Sequence, residues 1–242
     1  MLNSKSIVIV LFFISTNLNA HHKVYSPRVE EGRLSLEWRG HLDIDDQDSI
    51  DSAHHHVLET ENSWTDFWQT ELEFHISDKS DTTIDLSKIE FQNQFEIFSY
   101  TNFAGALYFS YNFVSEGIKG DQIEYKYLNE VNNNYFALIS NIIFEKEVGS
   151  PSQGSTELSF SNYFLFKKPI FKDVNFSLIG FSELGEVSNI KTYHNQEHQY
   201  GFQFETEFEI NQVGYEFALG FLQGLTNQTS NQTLIWNFEL EF

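Results

Sequence analysis

The last ten residues of the chain alternate strictly between apolar and polar faces. Leu234, Trp236, Phe238, Leu240 and Phe242 occupy every second position, and the positions between them are mostly polar. Because successive side chains of a β-strand point to opposite faces, this pattern predicts a strand with one wholly apolar face.

The same period of two recurs along the chain from about residue 33 onwards. It predicts twelve strands, near residues 34–38, 54–61, 68–76, 89–97, 103–113, 123–127, 136–144, 158–166, 174–178, 200–208, 215–221 and 233–242. The second strand has the weakest pattern, with only Val57 or Leu58 to define its apolar face, so ten or fourteen strands are the alternatives.

The predicted connections alternate between short and long. Tight turns are expected near 62–66, 99–102, 132–134 and 211–212, and longer polar loops near 41–53, 78–83, 115–121, 147–155, 185–196 and 223–231. The connection at 167–173, which carries Lys167, Lys168 and Pro169, is predicted to be a longer turn. This alternation, between strands of about ten residues, is typical of an all-β, transmembrane up-and-down antiparallel β-barrel.

The first 20 residues have the features of a secretory signal peptide. Lys5 precedes an apolar run from Ile7 to Ile14, and a small-residue cleavage site ends at Ala20. The apolar run is too short to span a bilayer as a helix. Residues 21–32 are predicted to form a polar periplasmic lead, and residues 33–242 a single barrel domain.

The composition narrows the classes of function. The chain contains no cysteine, which excludes a disulfide scaffold and thiolate metal ligands. Its 35 acidic and 14 basic residues give a net charge of −21, which argues against binding nucleic acid or an anionic membrane surface. The mean hydropathy of −0.35 does not exclude a membrane barrel, because the inward half of such a barrel is polar.

The C-terminal strand, which ends on Phe242, resembles the closing strand of bacterial outer-membrane β-barrel proteins. Two stretches, Ser26–His41 and Thr65–Phe74, are similar to an uncharacterised group of proteobacterial outer-membrane barrels. The resemblance implies insertion in the outer membrane of a Gram-negative cell, with membrane lipid, lipopolysaccharide and the barrel-assembly machinery as partners. The resemblance implies neither an activity nor an oligomeric state. A secreted β-sandwich is the alternative, but its edge strands would interrupt the apolar faces.

This resemblance implies that Phe242 is part of the signal read by the barrel-assembly machinery. We expect deletion of Phe242, or its replacement by a polar residue, to lower the amount of folded, heat-modifiable barrel. Semi-native gel electrophoresis of membrane fractions measures this amount. Unchanged assembly, or recovery of the wild type in the soluble periplasm, would contradict the assignment.

The polar faces of the predicted strands would line the lumen, and they are rich in carboxylates. The residues expected to line it are Arg33, Glu37, Arg39, Glu71, Glu73, His75, Glu90, Glu96, Glu205, Glu207, Glu209, Glu216, Glu239 and Glu241. The last six belong to the last three strands and are predicted to share one wall. Carboxylates crowded in a narrow lumen attract cations and repel anions.

This pattern predicts a passive channel for small or cationic solutes, including divalent metal ions. The alternative is a plugged, non-conducting barrel whose lumen charges pair with one another and whose acidic loops serve a structural or binding role. The chain is predicted not to be an enzyme. Its stretch His194–Tyr200 lacks the serine that outer-membrane phospholipases need shortly after a histidine.

An acidic stretch followed by three histidines is a candidate metal site. Its potential ligands are Asp43, Asp45, Asp46, His54, His55 and His56. Imidazole and carboxylate together suit Zn²⁺, Ni²⁺ or Cu²⁺. Three consecutive histidines on a strand alternate between faces, however, so they cannot all bind one ion. The prediction is therefore an acidic loop with weak divalent metal binding, and no cofactor.

Overall fold

The computed structural model describes residues 22–48, 50–78, 84–115, 120–149, 154–171 and 173–242. The predicted signal peptide, residues 1–20, lies outside these ranges. The strands of the described residues are β1 Leu34–Ile44, β2 His54–Ser63, β3 Trp68–Asp78, β4 Asp85–Ser99, β5 Phe103–Val114, β6 Asp121–Asn132, β7 Phe136–Val148, β8 Thr156–Phe171, β9 Val174–Glu186, β10 Asn189–Ile190, β11 Glu197–Ile210, β12 Val213–Gly224 and β13 Gln232–Glu241. A short 3-10 helix, Tyr193–Asn195, precedes β11. Within the described ranges, no helix is long and apolar enough to cross a membrane.

Twelve of these thirteen strands close into one antiparallel barrel. Each pairs with its neighbours in chain order, while the two-residue strand β10 extends β9 and is bypassed, so that β11 pairs directly with β9. Pairing of β1 with β13 closes the ring. The prediction of a twelve-stranded, all-β, up-and-down barrel is confirmed.

Side chains alternate between the outer surface and the lumen. On β1 the outward Trp38 is 44% exposed, whereas the inward Glu37 and Arg39 are both 7% exposed. The weakly patterned β2 follows the same rule, with Leu58 on the outside and Val57 inside. The period-two pattern therefore produces an apolar outer surface around a largely polar interior.

The two ends of the barrel differ in the length of their connections. Short turns join β2 to β3, β4 to β5, β6 to β7, β8 to β9 and β11 to β12, and we call this side the turn end. The other connections form the loop end. The turn between β11 and β12 consists of Asn211 and Gln212, whose positive φ angles of 54° and 68° suit a two-residue hairpin. The first residue of β1 and the last residue of β13 both lie at the turn end, because the number of strands in the barrel is even.

The connection between β8 and β9 differs from the prediction. The predicted longer turn at 167–173 is wrong, because β8 extends to Phe171 and β9 begins at Val174. The register shifts between Phe166 and Phe171. Lys167, Lys168 and Pro169 therefore lie in a bulge of several residues on β8. A bulge accommodates a proline, which has no N–H to donate to the ladder.

Replacement of Phe204 or Phe217 by arginine tests the outer face. Both side chains point outward near the middle of their strands and are 39% and 45% exposed. A basic side chain at the bilayer midplane costs about 2–4 kcal/mol, so we expect the free energy of unfolding in lipid vesicles to fall by that amount in a denaturant titration. Gln203→Arg is the matched control, because Gln203 points inward and donates a hydrogen bond to Glu205. Equal losses in all three variants would contradict the assigned faces.

The N-terminal lead, of which residues 22–32 are described, lies inside the barrel, whereas the sequence pattern predicts a periplasmic position for it. At the turn end the backbone N–H of Gly32 donates to the carbonyl of Ser63 at 3.0 Å. Towards the loop end, Nε2 of His22 lies 2.8 Å from Oε1 of Gln199 on β11. The lead therefore follows the lumen through most of the height of the barrel.

Candidate functional site

A row of glutamates crosses the inner wall over seven neighbouring strands. Each member lies directly opposite the next in the strand register. From β11 through β12, β13, β1, β2 and β3 to β4, the members are Glu207, Glu216, Glu239, Glu37, Glu59, Glu73 and Glu90. Like charges directly opposite one another destabilise a sheet. This glutamate row therefore needs cations or extra protons.

Arg39 on β1 provides one of these cations. Its Nη1 lies 2.6 Å from Oε1 of Glu37 and also bonds to Glu59, while its Nη2 lies 2.7 Å from Oε1 of Glu73. The guanidinium thus joins carboxylates of three adjacent strands. All four side chains are at most 8% exposed, so water screens these charges little.

Lys23 of the lead provides a second cation. Its Nζ lies 2.7 Å from a carboxylate oxygen of Glu59, 3.3 Å from Glu37 and 3.9 Å from Glu71. Glu59 thus faces both Lys23 and Arg39. An unpaired buried charge is strongly destabilising, so the lead stabilises the wall that surrounds it.

Tyr25 fixes the middle of the lead. Its backbone N–H donates to Oδ1 of Asn141 at 2.8 Å, and its carbonyl accepts from Nδ2 of the same side chain at 2.9 Å. Its hydroxyl donates to Oε1 of Glu73 at 3.2 Å. Closer to the turn end, Nε of Arg28 lies 2.8 Å from Oε2 of Glu130. These contacts attach the lead to β3, β6 and β7.

The inner wall also contains two apolar patches that receive the lead. Tyr25 packs against one of them, formed by Ala106, Tyr108 and Leu128. Val24 packs against the other, formed by Ile179, Leu222 and Ile235. The ammonium of Lys126 lies 3.7 Å from the centroid of the Tyr25 ring, a favourable cation–π distance. Burial of these side chains explains why the lead enters the lumen.

Polar cavities lie beside the lead and towards both ends of the barrel. A cavity of about 390 Å³ is lined by lead residues and by the inner faces of several strands, among them Glu205, Glu207 and Glu216. A cavity of about 280 Å³ at the turn end is lined by Glu207, Glu209, Glu216, Glu239 and Glu241. A smaller one, of about 60 Å³, lies towards the loop end and is lined by residues that include Glu124, Glu145, Glu157, Glu183 and Glu197. Carboxylates thus line the open space on both sides of the lead.

The six glutamates predicted to share one wall lie on adjacent strands. Glu207 pairs in register with Glu216, and Glu216 with Glu239. Glu209 and Glu241 both lie opposite Gly214, and a carboxylate oxygen of Glu205 accepts a hydrogen bond from the hydroxyl of Tyr163.

Arg33 neutralises only part of this wall. It lies 2.6 Å from Glu239 and 3.5 Å from Glu241. In the described part of the chain, Glu207, Glu209 and Glu216 have no lysine or arginine within ion-pair distance. Among the described residues, the wall therefore holds more carboxyl groups than basic side chains.

The other predicted lumen residues are also found on inner faces. Glu71, Glu73, His75 and Glu90 are at most 3% exposed. Glu96, near the turn end, accepts a hydrogen bond from the backbone N–H of Val29 at 2.9 Å.

The candidate metal ligands of the acidic stretch do not converge in the structure. Asp43 points into the lumen and accepts a hydrogen bond from Thr233 at 2.7 Å, whereas Asp45 accepts one from the backbone N–H of Asn231 at 2.8 Å. Asp46 is exposed. The prediction of a site built from these residues is not supported by this arrangement.

The three consecutive histidines alternate as a strand requires. His56 points outward and stacks on Trp38, with ring centroids 6.0 Å apart, and His54 lies on the same face, 5.3 Å from His56. His55 points inward, where its Nε2 lies 3.0 Å from Nδ1 of His75.

On the inner side of the wall, four histidines from different segments form a continuous row of ring contacts, edge-to-face between His22 and His41 and stacked between His41 and His55. Ring centroids are 4.5 Å apart between His22 and His41, 5.5 Å between His41 and His55, and 5.2 Å between His55 and His75. His75 then reaches the glutamate row, with its Nε2 2.6 Å from Oε2 of Glu73. Among the described residues, two groups have donor atoms close enough to share one metal ion: Glu73 with His75 and Glu90, and Glu59 with Glu71 and Glu73.

Several residues of this site are missed by the sequence pattern. Glu59 lies on β2, where apolar alternation is too weak to define the inner face. Lys23 and Tyr25 lie in a segment without any strand period. One signal was present: inward positions such as Leu222 and Ile235 are apolar, although the rest of the inner face is polar. An apolar residue on a lumen face indicates that some segment covers it.

No protein-family model matches the sequence, and no curated protein matches it significantly. Solved structures do resemble the fold. The NanC porin aligns with 12% identity and a TM-score of 0.58, covering 86% of this chain and 98% of the porin. The KdgM porin in complex with disordered oligogalacturonate aligns with 10% identity and a TM-score of 0.55, covering 86% of this chain and 98% of that one.

A third similar structure is the COG4313 outer membrane channel from Pseudomonas putida F1. It aligns with 10% identity and a TM-score of 0.55, covering 93% of this chain and 98% of the channel. At these identities the likeness concerns the fold. This chain has the barrel fold found in outer-membrane porins.

Proposed function

We propose that this porin-like barrel lies in the bacterial outer membrane and passes small cationic solutes passively through its acidic lumen. The observation that carries the proposal is the excess of carboxylates around the cavities beside the lead. Glu207, Glu209 and Glu216 line the cavity at the turn end, and none of them has a basic partner within ion-pair distance in the described residues. Negative charge held on a pore wall concentrates cations and excludes anions.

The outer surface supports the proposed location. Large apolar side chains, among them Phe91, Phe109, Phe204 and Phe217, are 37% to 46% exposed on the barrel exterior. A continuous apolar exterior of this kind is suited to membrane lipid and would be unfavourable in water. Insertion by the barrel-assembly machinery remains part of this proposal.

The charge of the wall also distinguishes this barrel from one neighbour of similar fold. One of the similar structures is the KdgM porin in complex with disordered oligogalacturonate, and oligogalacturonate is a polyanion. A glutamate-rich wall repels such a molecule. We therefore expect this barrel to exclude acidic oligosaccharides.

Neutralising the wall should reduce cation selectivity. We expect the Glu207→Gln/Glu216→Gln variant to have a permeability ratio of K⁺ over Cl⁻ several times lower than the wild type, as measured from the reversal potential across a KCl gradient in planar bilayers. The wild-type selectivity should also fall at high salt, where the Debye length shortens to about 3 Å at 1 M. Asp66→Asn/Asp173→Asn removes the same charge from exposed turns at the same end of the barrel and is the control. Equal selectivity of the wall variant and the wild type would remove the wall from the mechanism.

A plugged barrel is the second candidate, and the lead itself favours it. The lead occupies part of the lumen and is held by ion pairs and hydrogen bonds to several strands. A barrel in this state would serve as a structural or binding element. Absence of conductance in the wild type, together with conductance in a variant without the lead, would support this candidate.

A further inference from the structure

We propose that Glu73, His75 and Glu90 form a binding site for a divalent transition-metal ion in the inner wall of the barrel. The three residues lie on the neighbouring strands β3 and β4. Nε2 of His75 is 2.6 Å from Oε2 of Glu73 and 3.6 Å from Oε2 of Glu90. One donor atom from each residue falls within 4.8 Å of the others, which is close enough for a single ion.

The two carboxylates are oriented by groups around them. Oε1 of Glu73 accepts from the hydroxyl of Tyr25 at 3.2 Å and lies 2.7 Å from Nη2 of Arg39. Oε1 of Glu90 lies 3.1 Å from the hydroxyl of Tyr108, which is shared with Oε1 of Gln92. In both residues Oε1 is therefore engaged, and Oε2 is directed towards His75. Metal sites generally hold their carboxylate ligands by outer hydrogen bonds of this kind.

His55 orients the histidine. If Nε2–H of His55 donates to Nδ1 of His75, across the 3.0 Å between them, then the Nε2 proton of His75 points to Glu73. A metal ion takes the place of that proton. The displaced proton leaves to solvent, the proton between the rings passes from Nε2 of His55 to Nδ1 of His75, and His55 takes up a proton at its Nδ1. The bond between the rings is then kept with its direction reversed. The pair of rings can thus hold His75 in one orientation with or without the ion.

Lys88 forms an ion pair with the same carboxylate of Glu90. Its Nζ lies 3.0 Å from Oε2 of Glu90 and its side chain is 12% exposed. Binding requires this ammonium to withdraw, and a dication then supplies the charge that balances Glu73 and Glu90. Tight binding requires that the free energy gained from the bonds to the metal is larger than the free energy lost with this ion pair.

The donor set determines the class of metal. One imidazole and two carboxylates suit Zn²⁺, Mn²⁺, Fe²⁺ or Co²⁺, whereas an all-oxygen set would favour Ca²⁺ or Mg²⁺. Three protein ligands leave coordination positions for water or for a passing solute. Binding at this site can be measured by titration, without any current.

Zinc titration of the folded barrel in detergent tests the site. Isothermal calorimetry should find one tight Zn²⁺ site in the wild type, lost or at least tenfold weaker in His75→Ala and in Glu90→Gln. Tyr108→Phe removes an outer hydrogen bond, and such changes typically cost about 10–100-fold in metal affinity. His54→Ala/His56→Ala, which removes two imidazoles from the outer face, is the matched control and should retain the tight site. Heat-modifiability on gels confirms that each variant is folded.

X-ray absorption of the zinc-loaded wild type gives a result that does not depend on the folding of any variant. The expected spectrum contains one imidazole and two or more oxygen ligands. A spectrum without imidazole, or an unchanged tight site in folded His75→Ala, would overturn the assignment. Loss of the site in the outer-face control would likewise overturn it, because the tight ion would then lie near the loop.

Discussion

Deletion of residues 22–29 is expected to increase the single-channel conductance of the barrel severalfold. The reason is steric and electrostatic, because the lead fills part of the lumen and brings Lys23 and Arg28 among its carboxylates. Removing the segment widens the path and leaves the inner wall more negative. Planar-bilayer recordings of wild type and deletion variant, at equal salt, measure both the conductance and the accompanying rise in cation selectivity.

Two further variants separate these causes. Lys23→Met removes a charge and keeps the volume of the lead, so it should raise selectivity with a smaller change in conductance. Asn141→Ala removes the side chain that holds the backbone of Tyr25 in a reciprocal pair of hydrogen bonds, and it should increase the frequency of opening. Conductance of the deletion variant equal to that of the wild type would show that the lead is not the constriction.

Replacement of Arg39 by methionine should destabilise the barrel by about 3–5 kcal/mol, the typical loss when one partner of a buried ion pair is removed. The substitution keeps the aliphatic volume but leaves Glu37, Glu59 and Glu73 with less positive charge among them. Equilibrium unfolding in urea, with refolded barrel in lipid vesicles, measures the difference. The deficit should shrink at acid pH, because protonated carboxyl groups repel one another less.

Arg28→Met is the control for this experiment. Arg28 is also an arginine of the lumen, but its side chain is 30% exposed and its ion pair is with Glu130. Partly exposed pairs contribute about 0–1 kcal/mol, so its loss should be small. A second variant, Arg39→Met/Glu73→Gln, should recover part of the stability. Equal losses for Arg39 and Arg28 would contradict the view that buried charge pairing holds the wall together.

Alternation of apolar and polar residues predicted a barrel of twelve strands, with ten or fourteen as alternatives, and the structure has twelve. The pattern is informative because contact with lipid requires apolar side chains on the outer face of every strand, as at Trp38 and Phe204. This requirement does not depend on the details of packing. Bulges were not predictable in this way. At β8 the chain continues as a strand past Phe166, although Pro169 suggests that it ends there.

For the candidate site, the sequence predicted which residues face the lumen but not how they are arranged. The sequence indicates which glutamates face inward, but the row from Glu207 to Glu90 depends on the stagger between strands, which follows from turn geometry. The position of the lead depends on contacts between Tyr25 and residues more than 80 positions away, such as Leu128. No local pattern encodes such contacts.

The pairing of β1 with β13 has a consequence for biosynthesis. Ser35 lies opposite Glu241, so the two strands of this seam come from opposite ends of the chain. The contacts of this seam therefore join residues that are far apart in the sequence. Closing the ring must overcome a large loss of chain entropy. Contacts of the lead with β2 and β7 join early and middle strands of the chain, and none of these contacts involves the final strand. The lead can then act as an internal scaffold during maturation, and a chain without it would close its seam more slowly.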